Sequence, residues 1–218
     1  MWVHVSAPLT RFGLIGDVHS EDQRLGRALT KLADAKVEAV LAVGDLIDGF
    51  GDADRTVALL IEHEVVAIAG NHERWLLADT MRDLDGATLE IADESRAWLA
   101  ALPQTRVLDT ARGKLLLCHG VGDDDMAELR PDTRGYGLQC ALDGISAFEG
   151  AELRFAVGGH THDRMVRALG SGITFINAGT LSRKRSDAGF GLVDLETGTV
   201  TFWDFAGDDV RWAAEFEL

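Results

Sequence analysis

Six short apolar runs, each ending in a small or polar residue, constrain the fold of this chain more than any other feature of its sequence. They end at Gly, Asp, Asn or His, and their length and β-branched content favour buried strands over helices. The runs occupy residues 12–17, 39–45, 65–71, 114–120, 155–160 and 173–179. We therefore predict a strand at each of these places.

Helical patterns lie between the runs. Ser20 and Gln23 have the spacing of a capping box. The residues that would then lie on one face of the helix are Leu25, Ala28, Leu29 and Leu32. We predict a second helix over residues 52–62 and a later one over residues 93–102, stopped by Pro103. The alternation of strands and helices is typical of a layered α/β fold.

The second half of the chain adds two predicted hairpins, over residues 106–120 and 190–205, with turns near residues 111–113 and 196–198. Hairpins beside strand–helix units favour an α/β fold of two mixed β-sheets, packed as a sandwich and flanked by α-helices. We expect one domain over residues 1–218. Residues 121–150 show no strand pattern, and we predict an excursion over the site there.

Composition and charge argue against several classes of protein. The formal net charge of −15 does not favour nucleic acid as a main partner, because phosphate backbones are bound by clusters of Lys and Arg. No apolar run approaches the roughly 20 residues that cross a membrane, and the first residues do not resemble a signal peptide. Two cysteines are too few for a disulfide framework, so we expect a cytoplasmic location.

The ends of five predicted strands carry residues that bind metals. Imidazole, carboxylate and amide groups together suit Mn²⁺, Fe or Zn²⁺ better than a thiolate-seeking ion. The candidate ligands are Asp17, His19, Asp45, Asn71, His119, His160 and His162. Side chains at the carboxyl ends of strands converge on one crevice in α/β sheets. The pattern therefore predicts a metal site.

The distribution of histidine separates this prediction from a simpler explanation. A single Asp or His after a strand is more often a capped turn than a ligand. Here five of the seven histidines lie in the strand-end motifs, and the other two are His4 and His63. Five such motifs in a row favour a metal centre over five unrelated turns.

The ordered motifs DxH, GDxxD, GNHE, HG and GHxH resemble those of the calcineurin-like metallophosphoesterases, and they span residues 17–162. The resemblance implies a two-sheet α/β sandwich that holds two divalent metals. Asp17, His19 and His162 would bind one metal, while Asn71, His119 and His160 would bind the other, with Asp45 bridging both. Manganese is the first expectation, and iron, zinc and nickel are the alternatives.

The same resemblance implies a mechanism in which a metal-bridging hydroxide attacks phosphorus in line. His72 would protonate the leaving oxygen, and Asp48 would orient His72. Asn71 would also contact the substrate. Arg74 is a further candidate for binding the substrate phosphate, or else a charge on a helix surface.

Two departures from the family pattern concern the substrate. Serine/threonine protein phosphatases carry Arg after GDxxD and Arg before GN, and this chain has Gly49 and Ala69 there. The chain is more similar to small bacterial phosphodiesterases and phosphatases, which predicts small phosphodiesters or nucleotide-type phosphates as substrates. A phosphomonoesterase, including a protein phosphatase, is the alternative, since His72 is retained. A non-catalytic scaffold is the competing class, although it should have lost ligands.

Overall fold

The computed structural model describes residues 7–148, 152–170 and 172–218, and within these ranges it holds eleven strands and five helices. The strands are β1 (Arg11–Ile15), β2 (Ala39–Ala42), β3 (Val66–Ala67), β4 (Arg106–Thr110), β5 (Gly113–Leu117), β6 (Leu153–Gly158), β7 (Met165–Ala168), β8 (Thr174–Asn177), β9 (Gly189–Asp194), β10 (Thr199–Ala206) and β11 (Asp209–Glu217). The helices are α1 (Asp22–Asp34), α2 (Ala53–Glu62), α3 (Asn71–Leu77), α4 (Asp93–Ala100) and α5 (Gly135–Ser146).

The strands form two mixed sheets, as the sequence predicts. The first has the order β11-β10-β9-β1-β2-β3, and the second has the order β4-β5-β6-β8-β7. In the first sheet β1, β2 and β3 are parallel, and in the second β5, β6 and β8 are parallel. These two parallel parts contain the strand ends that carry the candidate ligands.

The two sheets pack face to face over a core to which both contribute. Phe12 and Leu14 of β1 meet Leu115 and Leu117 of β5 in this layer. Because side chains alternate across a strand, Leu116 points to the opposite face and packs with residues of α5. Helices α1, α2 and α4 cover the outer face of the first sheet. The sandwich flanked by helices is therefore confirmed.

The start of α1 differs from the prediction. The helix buries the predicted face of Leu25, Ala28, Leu29 and Leu32, but its N-cap is Glu21 and no side chain caps it. Ser20 instead has a positive φ of 55°, and its backbone N–H donates to the carbonyl oxygen of Leu46. The capping box was wrong because the backbone at Ser20 is committed to the loop after β2.

The segment after His119 holds a helix that the sequence pattern did not reveal. In its described part, residues 121–148, α5 packs Ala141 and Ile145 on the outer face of the second sheet. Residues 149 and 150 of the predicted excursion lie outside the described residues. Within the described ranges, none of the helices has the length and apolar character needed to cross a bilayer.

Candidate metal centre and active site

The loops that follow the parallel strands meet at one end of the sandwich. The N–H groups of Val18 and His19 donate to the carbonyl oxygen of Asp45, each at 2.9 Å. In the second sheet the N–H of Gly159 donates to the carbonyl oxygen of His119 at 2.7 Å. The backbone therefore ties the loops to each other directly, before any side chain contributes.

Several residues of this centre have a left-handed backbone that non-glycine residues rarely adopt. The residues with positive φ are His19 (50°), Asp45 (47°), Asp48 (62°), His160 (63°) and His162 (58°). Such conformations cost of order 1–3 kcal/mol each and are kept where the surrounding structure fixes them. Their concentration at one place indicates a functional site.

The first group of candidate ligands consists of Asp17, His19, Asp45 and His162. Each offers one ligand atom, and these atoms lie within 4.8 Å of one another. Nδ1 of His19 lies 2.9 Å from the carbonyl oxygen of Asp48. Because a carbonyl oxygen can only accept, Nδ1 carries the proton and Nε2 keeps a lone pair directed at the group.

The second group consists of Asp45, His119 and His160, whose ligand atoms also lie within 4.8 Å of one another. The amide oxygen of Asn71 joins them, at 2.9 Å from Nε2 of His119 and 3.0 Å from Nδ1 of His160. Nδ1 of His119 lies 2.8 Å from the carbonyl oxygen of Val43, which orients the ring. The carboxylate of Asp45 belongs to both groups. The structure thus brings all seven candidate ligands together.

The electrostatics of these groups fit bound cations. Oδ2 of Asp17 is buried and has no hydrogen-bond partner among the described residues. Burial raises the pKa of Asp17 to about 7. Nε2 of His19 and Nε2 of His162 lie 3.0 Å apart, and burial together with the neighbouring His19 lowers the pKa of His162 to about 3. An unsatisfied carboxylate oxygen and two facing imidazole nitrogens are the donors that a divalent transition metal would satisfy.

In the second group, the buried carboxylates and the imidazole of His119 shift the pKa values of one another. Burial lowers the pKa of His119, but the charge of Asp45, its hydrogen bond and the charge of Asp17 raise that pKa to about 10. Burial likewise opposes ionisation of Asp45, yet His119 lowers the pKa of this carboxyl. Two buried carboxylates therefore attract whatever cation the site offers, whether a proton or a metal.

His72 lies beside the two groups and belongs to neither. Its Nδ1 is 2.8 Å from the carboxylate of Asp48, and its Nε2 is 3.7 Å from Oδ2 of Asp45. Burial lowers the pKa of His72, but the hydrogen bond to Asp48 and the charge of Asp45 raise it above its ordinary value. His72 therefore favours its protonated form and presents Nε2 to the centre.

Arg82 is a residue of the site that the sequence did not indicate. Its guanidinium group donates to both carboxylate oxygens of Asp48, at 3.1 and 2.9 Å. Burial raises the pKa of Asp48, but hydrogen bonds from His72, Arg82 and Thr88 lower it to about 2. Arg82 lies in the segment between α3 and α4, which has no motif or periodicity that could have signalled this contact.

Glu73 belongs to the GNHE motif, but the motif alone does not indicate its role. Its fully buried carboxylate accepts hydrogen bonds from the N–H groups of Gly70, Leu46 and Ile47, at 2.8, 2.8 and 3.3 Å. Burial and the charge of Asp45 raise its pKa to about 7. Glu73 thereby fastens the loop after β2 to the start of α3, which fixes Asp45 relative to Asn71.

Arg74 makes a different contact from the one that a phosphate would require. Its guanidinium group forms a two-pronged pair with Asp125, at 2.7 and 2.8 Å, and about half of the side chain is exposed. Asp125 already occupies the geometry that a phosphate would need. A role for Arg74 in substrate binding stays a prediction.

The mixed-sheet sandwich and the buried carboxylates and imidazoles at its strand ends define the metallophosphoesterase class of protein. In agreement, a family model described as the calcineurin-like phosphoesterase superfamily domain matches residues 11–198. The chain therefore belongs to the calcineurin-like phosphoesterase superfamily, which is metal-dependent. Family membership supports hydrolysis of phosphoric esters.

Solved structures show the same fold at low sequence identity. A metallophosphoesterase from Sphaerobacter thermophilus has a TM-score of 0.65 and 21% identity, covering 89% of this chain and 87% of its own. Yfce, a phosphoesterase from E. coli, has a TM-score of 0.59 and 16% identity, covering 95% and 98%. An archaeal phosphodiesterase has a TM-score of 0.53 and 16% identity, covering 95% and 99%. No curated protein matches the sequence significantly.

Proposed function

We propose that this protein is a dinuclear metal-dependent phosphoesterase that hydrolyses small phosphodiesters or nucleotide-type phosphates. The observation that carries the proposal is the position of Asp45 in two adjoining ligand groups, one with Asp17, His19 and His162 and the other with His119 and His160. One carboxylate shared by two such groups is the arrangement that two neighbouring cations require.

One cation would be held by Asp17, His19, His162 and Asp45. A second cation would be held by Asp45, Asn71, His119 and His160. When bound, two such metals would supply a nucleophilic hydroxide near neutral pH and offset the charge of the phosphoryl oxygens. We expect manganese first and keep iron, zinc and nickel as alternatives, since imidazole and carboxylate ligands suit all of these ions.

The chain itself would supply the acid. His72 would donate a proton from Nε2 to the leaving oxygen, because Nδ1 is already hydrogen-bonded to Asp48. Asp48 would keep the ring in place and favour its charged form. This pair supports hydrolysis with a poor leaving group, and a purely metal-binding or scaffold protein would have no use for it.

The surroundings of Gly49 support small substrates over phosphoproteins. A Cβ added at Gly49 would clash with the carbonyl oxygen of His19. The arginine that protein phosphatases carry at this position therefore has no room here unless the backbone moves. The retained His72 keeps phosphomonoester hydrolysis as the second candidate.

A panel assay tests the proposed function. Protein loaded with Mn²⁺ should hydrolyse bis-p-nitrophenyl phosphate with a higher kcat/KM than p-nitrophenyl phosphate or a phosphopeptide. A preference for p-nitrophenyl phosphate would favour the phosphomonoesterase, and a preference for the phosphopeptide would favour the protein phosphatase. If the fully metal-loaded protein hydrolysed none of these esters, a non-catalytic scaffold would be the remaining candidate.

We also propose a cytoplasmic location. The support is chemical, since Cys118 and Cys140 are both free and Cys140 is exposed. Exposed free thiols persist in reducing compartments.

A further inference from the structure

A cavity of about 320 Å³ opens directly beside the proposed acid. Its volume is at the lower end of the range of small-molecule sites. One part of its lining consists of His19, His72 and His162, which belong to the centre described above. The rest includes Phe50, Leu84 and Lys184, to which neither the motifs nor the proposed chemistry assigns any role.

The position of His72 determines which part of a substrate this cavity would receive. If His72 protonates the leaving oxygen, the group attached to that oxygen must lie next to Nε2 of His72. The cavity is lined by His72 together with His19 and His162, two imidazoles of the centre that Nε2 of His72 faces. The cavity is therefore on the leaving-group side of the centre.

Phe50 gives this cavity an apolar, planar surface. The residue is 49% exposed, which is unusual for a phenylalanine, and the residue before it is Gly49, which contributes no side chain. Because a Cβ at Gly49 would clash with His19, Phe50 is the first side chain that the loop after Asp48 can offer. Exposed aromatic rings in ligand sites bind planar groups by stacking.

Lys184 brings positive charge to the same place. Its Nζ lies 4.8 Å from the centroid of the Phe50 ring and 3.1 Å from the carboxylate of Asp85. Both members of this ion pair are more than half exposed, so the pair is weak and an anion can compete for the ammonium group. Arg185 also lines the cavity, as do the acidic residues Glu21 and Asp85, and a cation beside an aromatic ring favours a ligand that combines a planar group with an anionic group.

We propose that this cavity is the leaving-group subsite and that it accepts a nucleoside or nucleotide, whose base packs against Phe50 near Lys184. The inference rests on the proposed function, because it takes His72 as the acid. It goes further by assigning specificity to Phe50 and Lys184 and by naming a nucleoside as the leaving group.

Binding of two hydrolysis-resistant phosphonates tests this subsite. One probe is the adenosine phosphonate in which CH₂ replaces the 5′ oxygen, and the other is methylphosphonate, which has no base. Calorimetry on the Mn²⁺-loaded protein would give both Kd values. Phe50→Leu, which keeps apolar volume and removes the ring, should weaken the adenosine probe by about tenfold or more and leave methylphosphonate unchanged. Phe50→Trp, which keeps an aromatic surface, should retain tight binding.

Tyr136→Leu is the matched control, because Tyr136 is an exposed aromatic residue of α5 that does not line the cavity. This variant should bind both probes as the unmodified protein does. The ratio of the two Kd values should differ between Phe50→Leu and the unmodified protein. If this ratio were the same in both proteins, with metal content intact, the proposed subsite would be overturned.

Hydrolysis of bis-p-nitrophenyl phosphate, measured in parallel, separates the two proposals. If the protein hydrolyses the ester but Phe50→Leu does not weaken the adenosine probe relative to methylphosphonate, the subsite is rejected and the proposed function stands. If Phe50→Leu weakens only the adenosine probe but the protein hydrolyses no ester, nucleotide binding in the cavity is supported and the proposed function is rejected.

Discussion

Arg82 and Asp48 form a two-pronged ion pair in which both carboxylate oxygens accept hydrogen bonds from the guanidinium group, at 3.1 and 2.9 Å. The oxygen that accepts the shorter bond also accepts one from Nδ1 of His72 at 2.8 Å. Since Asp48 is ionised and can only accept, Nδ1 carries a proton and Nε2 is the atom directed at the centre. Arg82 thus determines the orientation of His72 through Asp48.

We expect Arg82→Gln to lower kcat for an alkyl phosphodiester by about tenfold with little change in KM. Arg82 holds Asp48 and does not line the cavity beside His72, so its loss should impair the orientation of His72 more than substrate binding. Arg82→Lys, which keeps a cation near Asp48, should recover part of the rate. Steady-state kinetics of the three proteins measures both effects.

The control for Arg82 is Arg55→Gln, since Arg55 pairs with Glu62 on the surface of α2 and is about half exposed. Its kinetics should match those of the unmodified protein. An increase in KM at constant kcat for Arg82→Gln would show that Arg82 contributes to substrate binding, and the positioning role would be wrong.

His72→Asn should separate substrates by leaving group. General acid catalysis contributes about 10²–10⁴-fold, and we expect a loss of that order with an alkyl ester. A p-nitrophenyl ester should lose much less, because p-nitrophenolate leaves without a proton. Metal analysis should find the same content as before, since His72 is not a proposed ligand. Asp48→Asn should follow the same pattern more mildly.

Equal losses of His72→Asn on both esters, with metal content intact, would mean that His72 acts by charge or by positioning. The acid assignment would then have to be abandoned. His63→Asn provides the matched control, because His63 is an exposed histidine at the end of α2.

Asp45→Asn should weaken both proposed metal sites at once. The carboxylate belongs to both ligand groups, and an amide has a single ligand oxygen and no charge. Elemental analysis after Mn²⁺ loading should find close to two ions per chain in the unmodified protein and fewer in the variant. Asp109→Asn, at an exposed residue paired with Lys114, should behave as the unmodified protein does. A full metal complement in Asp45→Asn would contradict the bridging role.

Lys184→Met should reduce kcat/KM for a small anionic diester by roughly two- to fivefold at low ionic strength, the size of an exposed charge interaction. Added salt should remove most of the difference, because exposed charges are screened beyond about 10 Å at 0.1 M. Lys31→Met removes the same charge from a lysine that lies over Trp203, 5.9 Å from its centroid, and should change little. An equal effect of the two variants would mean that only net charge matters.

The sequence predicted nine of the eleven described strands and the clustering of the candidate ligands, and it missed β7 and β11. An apolar run that stops at Asp17 or His119 predicts both a buried strand and a polar side chain at its end, and the structure places the two within one centre. The prediction succeeds because strand burial has a local period, and because parallel strands deliver their carboxyl ends to the same edge of a sheet.

The tertiary structure decided the partners of these side chains. Arg82 reaches Asp48 from 34 positions along the chain, and Glu73 bonds the N–H of Leu46 from 27 positions away. The cavity beside His72 likewise combines Phe50 with Lys184 from distant segments. No local pattern encodes such contacts, because they depend on how the loops pack after the sheets have formed. Periodicity acts within a few residues, whereas the hydrogen bonds that orient the proposed acid arise only when the folded backbone has brought distant groups within about 3 Å.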